Sequence, residues 1–363
     1  MSTVHFASSK VKALNADLSL PAKFKRLLAK YPLEDMFKKK SVAIKMHVGG
    51  HLGYTTVHPL FVRILVDAIR EAGGRPFITD GSGAIPGAKV RGYTEEVLGA
   101  PIVGAAGLDD QYYKVLPVGY KTLEDIRACG EIVSADAMIV FSHGKGHGHC
   151  GYGGAIKNIA MGCVTNHSRG AIHALIDTEF KWDQDSCTHC YLCRTNCPGE
   201  AISFDKEGKF SIFFHHCRYC MHCVTSCPEG AIVINTEGQR QFQEGMAKAT
   251  EAVLNTFDAS RLMYITLLAN ITPLCDCWGY STPSIVPDIG MFASTDIVAL
   301  EQACLDSIKV ENYLPDSLPE PLTLREEGTH LFEKIHGKDP YLQVETAAEI
   351  GLGSREYELE VVE

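Results

Sequence analysis

Residues 41–48, SVAIKMHV, are apolar at five of eight positions, with Val42-Ala43-Ile44 in one run, and read as a buried strand. HPLFVRILVDAIREAGG follows, with Phe61, Ile64, Leu65, Ala68 and Ile69 at the spacing of an amphipathic helix, and Gly73-Gly74 end it. RPFITDG reads as a second strand, KTLEDIRACGEIVSA as a helix, and DAMIVFSH as a strand opening into a glycine-rich loop. Later come a helical QRQFQEGMAKATEAVLNTF, a strand-like RLMYITLLAN, and STDIVALEQACLDSI, a helix that Ser294 or Thr295 can cap. This alternation predicts an α/β fold with a mostly parallel sheet and helices on both faces. The pattern is interrupted once, so the expected architecture is one discontinuous α/β domain, residues 1–180 and 237–363, around an inserted module at 181–236.

The insertion carries eight of the fourteen cysteines. CTHCYLCRTNCPGEAI gives Cys187, Cys190, Cys193 and Cys197, and CRYCMHCVTSCPEGAI gives Cys217, Cys220, Cys223 and Cys227. Both read C-x2-C-x2-C-x3-C-P, and the second run repeats the first 30 residues later, down to Ala201-Ile202 and Ala231-Ile232. Three closely spaced thiolates can each bind a different iron of one cubane, while the fourth points to a neighbouring cluster. The duplication supplies that neighbour. One [4Fe-4S] cluster is therefore expected on Cys187, Cys190, Cys193 and Cys227, and the other on Cys217, Cys220, Cys223 and Cys197. Zinc is the rival occupant, but its sites seldom use a third cysteine two residues on and a C-P close. His189, His216 and His222 fall between the ligands and are read as non-ligands. The pattern resembles bacterial-type two-cluster ferredoxins.

Composition sets the bounds. No apolar run approaches a membrane span, and the N-terminal MSTVHFASSKVK lacks the apolar core of a signal peptide, so a cytoplasmic location is expected. Cysteine usage of this kind suits a reducing compartment. A net charge of −10 without a basic block argues against nucleic acid and anionic membranes as partners, and leaves basic protein partners open, soluble redox proteins being the expected ones.

In such folds ligands collect where loops leave the carboxyl ends of strands. KMHVGGHLGYTTVHP offers Lys45, His47, His51 and His58; TDGSGAIPG offers Asp80, Gly81 and Gly83, for which a tight turn is the simpler reading. SHGKGHGHCGYGGAIKNIAMGC is the richest. Gly146, Gly148 and Gly151 make a G-x-G-x-x-G, but His147 and His149 crowd the pyrophosphate position and no acidic strand end follows about 20 residues later, which argues against NAD. Nor is it a P-loop. The remaining reading is a turn of Gly151, Gly153 and Gly154 feeding a helix whose amides, with Lys157, bind an anionic ligand or cofactor. His143, His147 and His149 add candidate proton-transfer or metal-binding groups, against the plainer reading of a histidine-bearing loop.

GGAIKNIAMGC, CDCWG and IVPDIGMFASTDIVALEQACLD, with the inserted cysteine runs, resemble the domain-of-unknown-function 362 family of iron-sulfur proteins. That resemblance implies an α/β domain with a ferredoxin insertion, and no settled reaction. GGAIK is also similar to the glycine-rich turn and lysine that carry the tethered cofactor in nickel-pincer lactate racemases. This implies Lys157 as the tether, with His147, His167 and His173 as metal ligands.

The expected function is an oxidoreductase whose module relays low-potential electrons to a site in the α/β domain, with Lys157, His147 and His47 as catalytic candidates. The alternatives are a ferredoxin-like carrier that only docks redox partners, and a metal-dependent racemase-like enzyme. A flavin has no motif in its favour. Cys129 and Cys304 read as buried helical residues, whereas ITPLCDCWGYSTP places Cys275 and Cys277 after a strand. If that segment is extended, both thiols point one way and Asp276 the other. With Cys163 they are the expected ligands of a third centre, iron-sulfur rather than mononuclear, set against a redox-active thiol pair and plain structural cysteines.

Overall fold

The computed structural model describes residues 1–177 and 180–363. Its centre is an eight-stranded sheet formed by β1 (Ser2–Ser8), β2 (Ser41–Met46), β3 (Arg75–Asp80), β4 (Ile102–Gly104), β5 (Ala137–His143), β6 (Leu262–Leu268), β7 (Gly290–Ser294) and β8 (Tyr357–Val361). The spatial order is β8-β1-β7-β6-β5-β2-β3-β4, and only β7 runs against the rest. This is the mostly parallel α/β sheet that the alternation predicts.

β2 and β5 carry the apolar runs Val42-Ala43-Ile44 and Ala137-Met138-Ile139-Val140-Phe141 because each supplies two cores. Ala137, Ile139 and Phe141 face one core together with Val42, Ile44 and Met46. Met138, Val140 and Ala43 face the other. The first core is covered by α1 (Pro59–Glu71), whose Val62, Leu65, Val66 and Ile69 are buried. Each such burial contributes about 1.5–3 kcal/mol. The second core lies under α2 (Ala155–Gly162), α3 (Glu237–Leu254) and α4 (Ile297–Ser307).

Two local expectations are corrected. KTLEDIRAC is not helical but the second strand of a hairpin, Tyr113–Tyr120 with Leu123–Cys129. Leu123 and Ile126 are both buried although three apart, because the ladder slips between Pro117 and Tyr120. That spacing mimics a helical period. The turn residue Lys121 adopts φ +53°, so no glycine or asparagine marks it. Cys129 thus ends a strand, buried as expected, and Cys304 is buried in α4. The cap of α4 is Asp296, which accepts from the amides of Val298 and Ala299, while Ser294 Oγ accepts from the Asp296 amide.

The insertion is closed by antiparallel pairing of Phe180–Trp182 with Ile232–Ile234, and holds a second ribbon, Ile202–Phe204 with Phe210–Ile212. Its duplication extends to backbone conformation. His189, Tyr191 and Glu200 have φ of 53°, 60° and 49°; their counterparts 30 residues on, Tyr219, Met221 and Gly230, have 51°, 62° and 61°. Left-handed conformations at non-glycine residues cost roughly 1–2 kcal/mol each. Here they curl each cysteine run around a small hollow. No helix among the described residues is long and apolar enough to cross a membrane.

Candidate metal and redox site

A cavity of about 490 Å³ opens at the carboxyl ends of β2, β3 and β5. The strand order reverses between β2 and β5, which is where a doubly wound sheet leaves a crevice. Lys45, His47, Asp80, His143, Lys145, His147, Lys157, Arg169, His173, His215 and Cys277 line it, the first four from strand ends and the rest from the loops and helices that follow.

Its charges are arranged in pairs. Lys45 Nζ, fully buried, donates to Asp80 Oδ1 at 3.0 Å and to Asn158 Oδ1 at 2.6 Å. Asp80 Oδ2 accepts from the Val48 amide at 3.0 Å and lies 3.1 Å from His47 Nδ1. Burial alone raises the Asp80 pKa, but Lys45 and His47 reverse this and hold the carboxyl well below the usual carboxylate range. A Cβ at Gly162 would stand 2.3 Å from Lys45 Nζ, so glycine is required where that lysine passes. Asp276 forms the second pair. It lies 2.8 Å from His143 Nδ1 and 3.3 Å from Lys145 Nζ. His143 Nε2 is engaged by the Ala269 carbonyl, so this histidine is a fixed structural group.

The third pair joins Lys157 Nζ and Cys275 Sγ at 3.0 Å. Burial opposes a charged thiolate at Cys275, but contacts from Cys277 and Lys157 pull its pKa well below that of an ordinary thiol. Burial likewise opposes the Lys157 ammonium, and Cys275 overrides it, raising the lysine pKa. Four basic side chains, Lys45, Lys145, Lys157 and Arg169, line the cavity, against the carboxylates of Asp80 in its wall and Asp276 behind Lys145, so positive charge is in surplus there.

Four imidazoles cluster on one side of the cavity, His147, His173 and His215 in its lining and His149 packed behind them. His149 and His215 have ring centroids 3.5 Å apart, His147 and His215 5.3 Å, and His149 and His173 5.0 Å. Burial, then neighbouring cations and histidines, lowers all four pKa values, to about 4 for His173 and about 3 for His215. They are neutral at pH 7, the form that binds metal. His147, His215 and Cys277 bring one ligand atom each within 4.8 Å of one another.

The eight module cysteines lie around two small hollows. Cys187, Cys190, Cys193 and Cys227 line one small hollow, with Trp182, Phe204 and Phe210. Cys197, Cys217, Cys220 and Cys223 line the other, with Ile202, Ile212 and Ile234. All are free thiols. Four thiols around an apolar hollow is the donor set a cubane cluster takes. His189 Nε2 is held by the Gly208 carbonyl, in keeping with its non-ligand reading.

Short links join module to cavity. His215 lines the cavity and Cys217, two residues on, lines the second hollow. Lys338 Nζ, buried, donates to the carbonyls of Gly148, Phe214 and Cys217. A Cβ at Gly148 would lie 2.3 Å from the His215 carbonyl oxygen, so this glycine serves the close approach of the module backbone. Replacing Lys338 with Met should leave three carbonyls unpaired and loosen the module. Faster backbone amide exchange over residues 213–218 than in the parent would check this.

The glycine loop differs from expectation in one chemical respect. Gly151–Gly153 forms a ribbon with Lys145–His147, and only Gly154 of the three candidate glycines reaches the cavity wall. The start of α2 is already served by a carboxyl group: Glu301 Oε2 accepts from the Ile156 amide at 3.3 Å, and Gly154 leaves the room that group needs. Burial raises the Glu301 pKa to about 7. An acid raised in the folded state adds stability at low pH that is lost as pH climbs from about 4.5 through 7. Glu301→Gln should therefore be more stable than the parent above pH 7, by up to about 3 kcal/mol, with the difference fading below about pH 5. Denaturant unfolding at the two pH values measures it.

Cys275–Asp276–Cys277 is also not as expected. Asp276–Trp278 is a 3-10 turn capped by Cys275, whose Sγ accepts from the Cys277 amide at 3.2 Å. Asp276 is buried against His143 rather than turned away, and its carboxylate is also the counter-ion of Lys145. Cys163, at the far end of α2 from Lys157, is buried near Lys45 and Asp80 and lies outside the cavity lining. His47, His147 and Lys157 all line the cavity; His167 is exposed, His51 lies in an exposed loop, and His58 caps α1 through the Leu60 amide.

Fold and site together describe an α/β protein with a cysteine-rich insertion set against a cationic, histidine-rimmed cavity. The chain belongs to the DUF362 family, a domain of unknown function whose model matches residues 42–306. Among solved structures it is similar to the lactate racemase apoprotein from Thermoanaerobacterium thermosaccharolyticum, at 12% identity and a TM-score of 0.39, over 74% of this chain and 51% of that one. It is also similar to a Thermotoga maritima protein solved by a structural genomics consortium, at 14% identity and a TM-score of 0.37, over 70% and 52%. The chain spans about half the length of these structures. No curated protein matches it.

Proposed function

We propose that the chain is an iron-sulfur oxidoreductase in which two [4Fe-4S] clusters on the inserted module relay low-potential electrons from a soluble redox partner to a substrate in the cavity. The observation that carries this reading is the shared segment Phe213–Cys217: Phe213 and His215 line the cavity, and Cys217 lines a cysteine hollow. A cluster there has a ligand two residues from the cavity wall. The surplus positive charge favours a small anionic substrate, which Arg169 and Lys145 can orient. A carrier that only docks partners has no use for a cavity with four cationic side chains. Dithionite reduction of anaerobically prepared protein, followed by mixing with candidate oxidised anions, tests the proposal: a substrate reoxidises the clusters catalytically in the parent and not in Arg169→Ala. Cluster reoxidation that is indifferent to every cavity substitution would support the carrier.

A racemase-like reading is favoured by one observation, that Lys157, His147 and His173 line the same cavity. It requires proton exchange at substrate carbon in protein whose clusters are held oxidised.

A further inference from the structure

His147 comes from the ribbon after β5, His215 from the inserted module, and Cys277 from the turn after β6, yet their ligand atoms lie within 4.8 Å of one another. Two ligands of one tetrahedral zinc stand about 3.4–3.6 Å apart, given bonds of roughly 2.0–2.3 Å, so shifts of about an ångström close the set. Two further observations point to the same spot. His149, only 7% exposed, has no hydrogen-bond partner at either ring nitrogen. Its ring lies 3.5 Å from that of His215. A buried imidazole ordinarily finds a partner, and here none of the described residues supplies one. Cys150 Sγ lies 3.1 Å from His147 Nδ1. The His149 amide also lies 3.3 Å from Nδ1, so that nitrogen is engaged within the loop and Nε2 is the one left to offer a ligand.

We propose that His147, His215 and Cys277 bind one mononuclear transition-metal ion, with His149 beside it and an open position facing the cavity. Two imidazoles and a thiolate select a borderline divalent first-row ion over magnesium or calcium. The ion differs from the expected third centre in both nuclearity and ligands, since Cys163 and Cys275 take no part. It would fasten the module to the α/β domain and act as a Lewis acid on an anionic substrate held by the cavity cations. The proposal deepens the oxidoreductase reading by naming the centre that meets the substrate, but the ion does not depend on the clusters.

The probe is Co²⁺, added to anaerobically prepared full-length protein and followed by difference absorption and metal analysis after gel filtration. The expected result is one retained Co²⁺ per chain with a thiolate-to-cobalt charge-transfer band. Cys277→Ala and His215→Ala should weaken retention at least tenfold, Cys277→Asp should bind Co²⁺ without the band, and His167→Ala should match the parent. Circular dichroism and iron content of each variant separate lost binding from lost folding. The proposal is overturned if correctly folded parent retains no Co²⁺, if Cys277→Ala and His215→Ala bind as the parent does, or if retention follows Cys163 instead. Iron without Co²⁺ uptake removes this site and spares the relay; Co²⁺ uptake in a chain that never holds iron does the reverse.

Discussion

Cys197→Ala and Cys227→Ala are each expected to lower the iron content from about eight to about four per chain, because each removes one ligand from one four-iron cluster. Combining variants tells which cluster is lost. Cys197 lines the hollow of Cys217, Cys220 and Cys223, so Cys197→Ala with Cys217→Ala should retain about four irons, no fewer than either alone. Cys193 lines the other hollow with Cys227. Cys193→Ala with Cys197→Ala, two changes within one sequence run, should therefore empty both sites. Non-additivity across the runs and additivity within one is the signature of ligands exchanged between halves. The opposite pattern, with each run keeping its own four irons, contradicts the crossed arrangement.

The second large effect concerns Lys45 and Asp80, which share a 3.0 Å ion pair at 1% and 6% side-chain exposure. Replacing the carboxylate in Asp80→Asn keeps shape and removes the charge. The lysine is left in a dry site with Asn158 and a backbone carbonyl for company. Breaking a buried pair from one side costs about 3–5 kcal/mol, so denaturant unfolding at pH 7 should show a loss of that size. pH sharpens the test. The Asp80 pKa is depressed, so its stabilisation is present above the unfolded value near 3.8 and disappears as pH falls towards the folded one. The parent should lose this advantage over the variant in strong acid, and an Asp80→Asn protein as stable as the parent at pH 7 would remove the pair from the account.

Much of this was legible in the chain. The crossed cysteine sets follow from spacing and a 30-residue repeat, since those encode a loop conformation locally. The sheet was legible because β2 and β5 must satisfy two cores at once, which forces continuous apolar runs. His47, His147 and Lys157 were found by their place after strands. His215 was not. It precedes the second cysteine run and reaches the cavity only because the module folds back, with Lys338 and Gly148 setting the approach. Glu301 left a faint signal, a single acid in the largely apolar run of α4, IVALEQACL, but nothing local shows that it meets the start of α2. The turn at Cys275 was misjudged for a similar reason: C-x-C alone does not distinguish an extended segment from a 3-10 turn, and the deciding residue, Gly279 at φ +80°, acts two positions later. The Leu123–Cys129 strand was hidden by a helical spacing that a slipped ladder happens to reproduce.

The central claim is that the module carries two iron-sulfur clusters and passes electrons towards the cavity. Iron and acid-labile sulfide analysis of anaerobically purified protein, with EPR before and after dithionite, tests it most directly. The account predicts about eight irons and eight sulfides per chain, silence in the oxidised state, and reduced signals broadened by interaction between two neighbouring clusters. Zinc in place of iron, or four irons with an isolated reduced signal, would contradict it.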